Sequence, residues 1–390
     1  MNFLFTSQPG FGHLRGLLAL ARGLRGAGHT VAFASASPLG AEVQREGFEF
    51  FSVGPPWELN TGAGALFPGC PPPGPASKLF TLREVFARLT ARQTFPDQHE
   101  VIARLAPAVV IRESEEYGGL LAAEALGLPH ASVAVGAESS TLQMARVVER
   151  TIEEVGAELR LPHRVGFETL HKYLHLCGLP AEFDGPLELF SDTTHFVRFD
   201  RARPPRPAGL AHRPLVLASM GTMFHLWPGI FEALFTALAG APVDVVFAVG
   251  KDRDLGELGS APNVRVEAFV DQVALLDSCS GFITHGGFNS IKEAIAAGVP
   301  VLAIPLAADQ PYVAQRCAAL GVGQVLSASP LEPALVRTAL AQVLEQPSFR
   351  SNMQQLTAAL NHLPGPERAV ELLEELGTAR APLRRTAGAS

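Results

Sequence analysis

Three groups of side chains are of types, and at spacings, that could do chemistry. The first is His285-Gly286-Gly287-Phe288-Asn289-Ser290, which follows a short apolar strand pattern from Gly281 to Thr284. Asn289 or Ser290 can cap a helix running to Ala297, which Gly298 ends, and Val299 to Ile304 reads as the next buried strand. Such a strand–turn–helix unit aims a helix N-terminus, with its positive dipole end, at the carboxyl edge of a parallel sheet. That edge is an anion site. Gly286 and Gly287 let a phosphate approach the backbone closely, and His285 and Ser290 add donors. The pattern points to a nucleotide diphosphate without saying which one.

The second group is the loop Gln8-Pro9-Gly10-Phe11-Gly12-His13. It lies between a strand-like Asn2 to Ser7 and a helix whose face is marked by Leu14, Leu17, Leu18, Ala21 and Leu24. A helix N-terminus disfavours imidazolium, and a neutral imidazole is a fit general base. The plainer reading of His13 is a helix cap. The third group is Arg112-Glu113-Ser114-Glu115-Glu116, at the carboxyl end of a buried strand from Ala108 to Ile111, on the same edge as His13. A carboxylate there would fix the imidazole tautomer and stabilise the imidazolium. Glu113 is the first candidate and Ser114 the runner-up; a solvated acidic turn is the plainer reading.

Other spacings carry less. Gly10, Gly12 and Gly16 give G-x-G-x-x-x-G, off the dinucleotide fingerprint, and the second strand, His29 to Ala34, runs into Ser35-Ala36-Ser37 with no acid for a ribose. Asp252-Arg253-Asp254 has the form of a D-x-D metal motif but reads as a surface turn, so no metal is expected. His171 and His175 fall in a stretch, 138–190, that reads as helical, where a spacing of four puts them on one face. No third ligand or H-E-x-x-H pattern joins them, so the stretch reads as a helical wall.

The elements that must position these groups fit two α/β domains. The chain has 390 residues, 47% of them apolar, enough for two cores. A net charge of −7 argues against broad nucleic-acid binding. Cys70, Cys177, Cys279 and Cys317 show no C-x-x-C pairing, which favours reduced thiols and a cytoplasmic location. No run approaches the about 18 apolar residues of a membrane span, and Met1 to Phe5 reads as a first strand, not a signal peptide. The expected order is a first domain over 1–200, a linker over 201–213 around Arg201-Ala202-Arg203-Pro204-Pro205-Arg206-Pro207, a second domain over 214–365, a helix over 366–378 and a frayed tail over 379–390. Residues 54–76, rich in Pro and Gly, read as an acceptor lid or a surface loop, and a helix with Phe80, Val85, Phe86 and Leu89 follows.

From Phe269 to Gln310 the chain resembles the nucleotide-sugar signature of family 1 glycosyltransferases. The match is carried by Phe269, Gln272, His285, Gly287-Phe288-Asn289-Ser290, Glu293, Gly298-Val299-Pro300 and Asp309-Gln310. Ser219-Met220-Gly221-Thr222 resembles the family's S-x-G-S/T loop, and Gly10-Phe11-Gly12-His13 stands where the family keeps its base. The resemblance implies a GT-B fold of two Rossmann-like parallel-sheet domains facing across a cleft, with the last helix crossing back onto the first. It implies that Phe269 stacks the base with Val270 and Gln272 beside it, that His285, Asn289 and Ser290 hold the diphosphate, and that Ser219, Gly221 and Thr222 face it. Glu293 would bind ribose, and Asp309 and Gln310 would read sugar hydroxyls. In plant members an Asp orients the base; counting back from Gly127, Glu113 takes that place. Asp271 stands where the family usually has Pro, and Phe269 and Phe288 where plant members have Trp.

The overall style is that of bacterial enzymes that glycosylate natural products, often with dTDP-linked deoxysugars. The implied activity is metal-independent, inverting transfer from a dTDP- or UDP-sugar, a co-substrate with no cofactor beside it, to a hydroxyl of a hydrophobic aglycone. Phe11, Trp57, Phe67 and Phe86 would line the acceptor site. No nucleic acid and no stable membrane insertion are expected, and homodimerisation is left open. Two rivals are a GT-B nucleotide-sugar epimerase, which needs acids around the sugar, and a non-catalytic auxiliary partner, which would tend to lose the donor block that is complete here.

Overall fold

The computed structural model describes residues 1–57, 67, 69–71, 75–137, 141–200, 213–222, 225, 227–251, 253–256 and 258–385. The expected linker, apart from its last residue, and Asp252 lie outside the described residues. The chain forms two compact units, Met1–Arg201 with Leu363–Ser390, and Ala202–His362.

The first unit is built on seven parallel strands in the order β3-β2-β1-β4-β5-β6-β7. They are β1 (Asn2–Thr6), β2 (Thr30–Ser35), β3 (Glu49–Ser52), β4 (Val109–Glu113), β5 (His130–Val133), β6 (Leu174–Cys177) and β7 (Thr194–Phe196). Strands covered on both faces read as near-continuous apolar runs, and alternate residues enter different cores. Phe3, Phe5, Ile111 and Val133 pack with the leucines of the helix Phe11–Gly26 and with Leu372, Leu373 and Leu376 of the helix Pro366–Ala379. Leu4 and Val110 face the other way, onto Ile102, Ala122 and Ala123.

One cross-strand row on that second face is polar throughout. Thr6, Arg112, Ser132, His175 and Thr194 stand in register across β1, β4, β5, β6 and β7, and all are fully buried. Ser132 Oγ and His175 Nδ1 are 2.6 Å apart.

The second unit has six parallel strands in the order β10-β9-β8-β11-β12-β13. These are β8 (Leu215–Ser219), β9 (Asp244–Ala248), β10 (Val264–Glu267), β11 (Gly281–Thr284), β12 (Val301–Ala303) and β13 (Gly323–Val325). Strand order reverses at β1/β4 in one sheet and at β8/β11 in the other. In open α/β sheets that reversal leaves a crevice at the carboxyl ends of the strands.

The structure corrects several expectations. His175 lies on β6 and His171 just beyond the short helix Phe167–Leu170, so they share no helix face; their rings stack at 4.0 Å. A four-residue strand buried on both faces, its one His hydrogen-bonded, gives no pattern that distinguishes it from helix. Asn289 and Ser290 lie inside the helix Phe288–Ala297, whose N-cap is Gly287. Residues 381–385 do not fray: Leu383 N–H donates to Tyr173 O (2.8 Å), Arg385 N–H donates to Asp192 O (2.7 Å), and the Leu383 side chain joins the first core. Among the described residues, no helix is long and apolar enough to cross a membrane.

Burial makes the first unit sensitive to acid. Desolvation holds His171 at a pKa of about 3, His175 well below the ordinary histidine value, and His130 below it despite a hydrogen bond to Glu124. The unfolded chain binds protons near pH 6.5 that these folded rings refuse, so stability is full above that pH and is lost as pH falls toward 3. Glu116 opposes this from the carboxylate range upward, because burial raises its pKa and the unfolded form ionises first. Replacing His171 by Phe should therefore flatten the fall in Tm between pH 7 and pH 5. Parallel Tm–pH curves for the two proteins would contradict the assignment.

Candidate active-site residues

One cluster of candidate residues sits at the β1/β4 reversal of the first unit. Gly10, in extended backbone, caps the helix Phe11–Gly26, and His13 is its third residue. His13 is thus not the cap. Its Nδ1 lies 3.0 Å from Glu113 Oε1 in an off-line, ion-pair geometry. The ring is 17% exposed and the carboxylate 0%. The Phe86 ring meets His13 edge-on at 6.0 Å.

Glu113 is the last residue of β4, not part of a solvated turn. Its Oε1 accepts from Gln8 N–H (3.2 Å) and its Oε2 from Glu115 N–H (2.6 Å). Ser114 Oγ accepts from Val135 N–H (3.3 Å), so of the two candidates it is Glu113 that meets the imidazole. Glu116 is also buried; it takes Thr6 Oγ1–H (2.6 Å) and the Gly119 N–H that opens the helix Gly118–Ala125. Beneath them the buried Arg112 donates to the carbonyls of Glu113 (3.2 Å), Ser114 (3.0 Å), Glu116 (3.3 Å) and Leu170. Sequence reasoning did not mark Arg112, although a cation inside an apolar strand was the available signal.

Phe86 belongs to a π-helical stretch, Thr81–Thr90, and is buried. Trp57 and Phe67 pack edge-on at 5.7 Å and join the same apolar cluster. Phe11 is 42% exposed, two residues from His13.

Another cluster sits at the β8/β11 reversal of the second unit. The His285 ring lies against Gly221 and Gly287: a Cβ would fall 2.6 Å from its Cε1 at Gly221 and 2.5 Å from its Nε2 at Gly287. Gly221 also has φ +70 and Gly286 φ +81, conformations that favour glycine. Gly287 therefore makes room first for His285 itself. Burial pushes the His285 pKa down to about 4, against a backbone hydrogen bond at Ser219, so the ring is neutral near pH 7. Ser219 Oγ accepts from Gly221 N–H (3.3 Å), and Thr222 is exposed beside it. His225, which no motif marks, covers Gly250 with its ring and places Nδ1 2.9 Å from Thr222 O.

Gly287, the N-cap, has no side chain with which to cap the dipole end of the helix Phe288–Ala297. Gln272 Nε2 donates to Glu293 Oε2 (2.7 Å) and Ser290 Oγ (3.4 Å), which brings three of the expected residues together. Asp271, the departure from Pro, caps the helix Gln272–Leu276 by accepting from Ala274 N–H (3.1 Å). Phe269 is 69% exposed, with the Lys251 ammonium 5.7 Å from its ring centre and Val270 half-buried beside it. Asn289 and Asp309 are half-buried on this edge. Gln310 is 2% exposed, and its Oε1 accepts from Leu306 N–H (2.8 Å) and Ala307 N–H (3.1 Å), so its amide oxygen holds its own loop.

Two parallel-sheet units with polar groups gathered at both reversals define a GT-B architecture. Residues 233–376 match the family model described as erythromycin biosynthesis protein CIII-like, C-terminal domain. The chain is 26% identical to the NDP-glycosyltransferase YjiC of Bacillus subtilis over 384 residues, covering 94% of this chain and 95% of the relative. It is 27% identical to the TDP-daunosamine transferase DnrS of Streptomyces peucetius, covering 97% of each. The solved calicheamicin glycosyltransferase CalG4 superposes with a TM-score of 0.80 at 25% identity, over 96% of this chain and 98% of that one. Along nearly its whole length the chain is thus similar to glycosyltransferases, enzymes of natural-product biosynthesis among them, and it shares their GT-B fold.

The packing of His285 sets a test. Gly287→Ala, at an ordinary φ of −63, would drive the ring out of place by contact alone. It should weaken nucleoside diphosphate binding about as much as His285→Ala, by about 1.5–3 kcal/mol, and the double variant should lose no more than either single. Calorimetry with dTDP and UDP measures this; unchanged affinity in folded Gly287→Ala protein would remove His285 from the site.

Proposed function

We propose that the protein is an inverting glycosyltransferase that moves a sugar from a dTDP- or UDP-sugar to a hydroxyl of a hydrophobic aglycone, without a metal. The observation that carries this reading is the His13–Glu113 pair at the β1/β4 reversal, 3.0 Å apart on a buried carboxylate. Glu113 engages Nδ1, so the proton of the acceptor hydroxyl goes to Nε2, and the carboxylate stabilises the imidazolium that forms. The acceptor oxygen attacks the anomeric carbon from the face opposite the diphosphate. One C–O bond forms, the bond to the leaving oxygen breaks, its electron pair goes to the diphosphate, and the centre inverts.

The diphosphate is taken by the N-terminus of the helix Phe288–Ala297, by His285 and by Ser290 and Thr222. Together they stabilise the leaving charge electrostatically. Phe269, Val270 and Gln272 lie on the base side, and Glu293 on the ribose side. Support for a dTDP donor comes from the TDP-daunosamine transferase relative. Apolar Trp57, Phe67 and Phe86 in one cluster beside His13 support a hydrophobic acceptor. Asp254 Oδ1 accepts from Gly256 N–H (2.9 Å) in a local turn, which supports the surface-turn reading of that segment.

His13→Ala should lower kcat by about 10²–10⁴-fold on an aliphatic alcohol acceptor while leaving donor affinity intact. A nitrophenol, already acidic, should lose less. Near-normal turnover of the alcohol by the variant would defeat the assignment. Transfer should also persist in EDTA; activity lost in chelator and restored by magnesium or manganese would overturn the metal-free reading.

A further inference from the structure

We propose that Gln8 is a positioning residue for the His13–Glu113 pair, joining the loop that holds the carboxylate to the π-helical stretch that holds Phe86. The inference rests on the reading of His13 as the base. Gln8 is 3% exposed, and its two halves do different things. Its main-chain N–H donates to Glu113 Oε1 (3.2 Å), a contact any residue except proline would make. Its side-chain Nε2 donates to Glu115 O (3.0 Å) and to Thr90 Oγ1 (3.1 Å), which uses both N–H groups of the carboxamide.

Each partner leads back to the base. Glu115 gives its own N–H to Glu113 Oε2 (2.6 Å), so fixing the Glu115 carbonyl steadies the turn that grips the carboxylate. Thr90 Oγ1 donates to Phe86 O (2.9 Å), one turn earlier in the stretch Thr81–Thr90, and the Phe86 ring abuts His13. The imidazole is thus held on one side by Glu113 and on another by Phe86, and the Gln8 carboxamide ties those two supports together. A buried amide with both donors used has no tolerance for a carboxylate or an alkyl group in its place. A displacement on the order of 1 Å at a proton-transfer pair can cost up to about 10²-fold in rate.

The test compares Gln8→Leu, Thr90→Val, Thr90→Ser and His13→Ala, with UDP-glucose or dTDP-glucose as donor and an aliphatic alcohol or a nitrophenol as acceptor. Gln8→Leu should lower kcat on the alcohol about tenfold, with a smaller loss on the nitrophenol and the donor KM within about twofold. The acidic limb of its kcat/KM profile should move to lower pH, because a carboxylate held off the ring no longer favours imidazolium. Thr90→Val should behave alike, the two losses should not add, and Thr90→Ser, which keeps the hydroxyl, should restore wild-type kcat. A folded Gln8→Leu protein with an unchanged limb and an unchanged ratio between acceptors would overturn the inference, whatever its Tm. Should Gln8→Leu not fold, equal kcat for Thr90→Val and Thr90→Ser would overturn it. Full activity in His13→Ala would defeat both this inference and the base reading, whereas activity lost there and kept in folded Gln8→Leu defeats this inference alone.

Discussion

The first unit turns on one buried cation. Arg112 stands in the middle of a parallel sheet, fully buried, and the acceptors its guanidinium meets are carbonyl oxygens: those of Glu113, Ser114, Glu116 and Leu170. Burying a charge is costly unless it is hydrogen-bonded. Here the requirement shapes the chain, because three of the four acceptors belong to the last residue of β4 and the segment just after it. That segment folds back over the guanidinium, and in doing so presents Glu113 to the N–H groups of Gln8 and Glu115 and to the His13 ring. Glu116, turned the other way by the same fold, opens the next helix and takes the Thr6 hydroxyl. A carboxylate dyad at the edge of the sheet is thus a consequence of a cation one residue inside it.

The second unit solves its own positioning problem with space instead of charge. The His285 ring is held by the absence of side chains at Gly221 and Gly287, and the surrounding apolar packing strips it of water and keeps it neutral. A neutral ring adds no charge, and its hydrogen bond at the Ser219 backbone uses its one N–H, which leaves the helix dipole as the fixed positive element of that edge. Gln272 spans Ser290 and Glu293 and so ties three side chains of that edge together.

Much of this was legible in the residues. The unit Gly281–Thr284, glycine turn, helix to Ala297 carries a strand, a turn and a cap signal in sequence order, and the structure reproduces its span. His13 and Glu113 could be placed on one edge because each follows a buried strand. What could not be read were features that depend on partners distant in sequence. β3, β6 and β7 are short strands whose identity comes from neighbours in the sheet and not from any period of their own. That the space at Gly287 is needed by the His285 ring, and that the Gln310 amide oxygen holds the backbone of its own loop, could not be read from the residues. The partners of Arg112 and Gln8 are hidden for the same reason: only the folded chain assembles their acceptors.

The polar row across β1, β4, β5, β6 and β7 has a consequence for how the sheet can be built at all. Short apolar parallel strands could pair at several offsets with similar burial. A slip of one residue would turn Arg112, Ser132 or His175 toward the face of Phe5, Ile111 and Leu174, where an apolar core waits. A slip of two keeps the face but separates Ser132 from His175 and strands a polar group opposite Val110, His130 or a turn. The row therefore works as a key cut along the sheet: a misthreaded strand is recognisable by the Ser132–His175 contact it breaks, and the alignment that keeps that contact also brings the ends of β1 and β4 level.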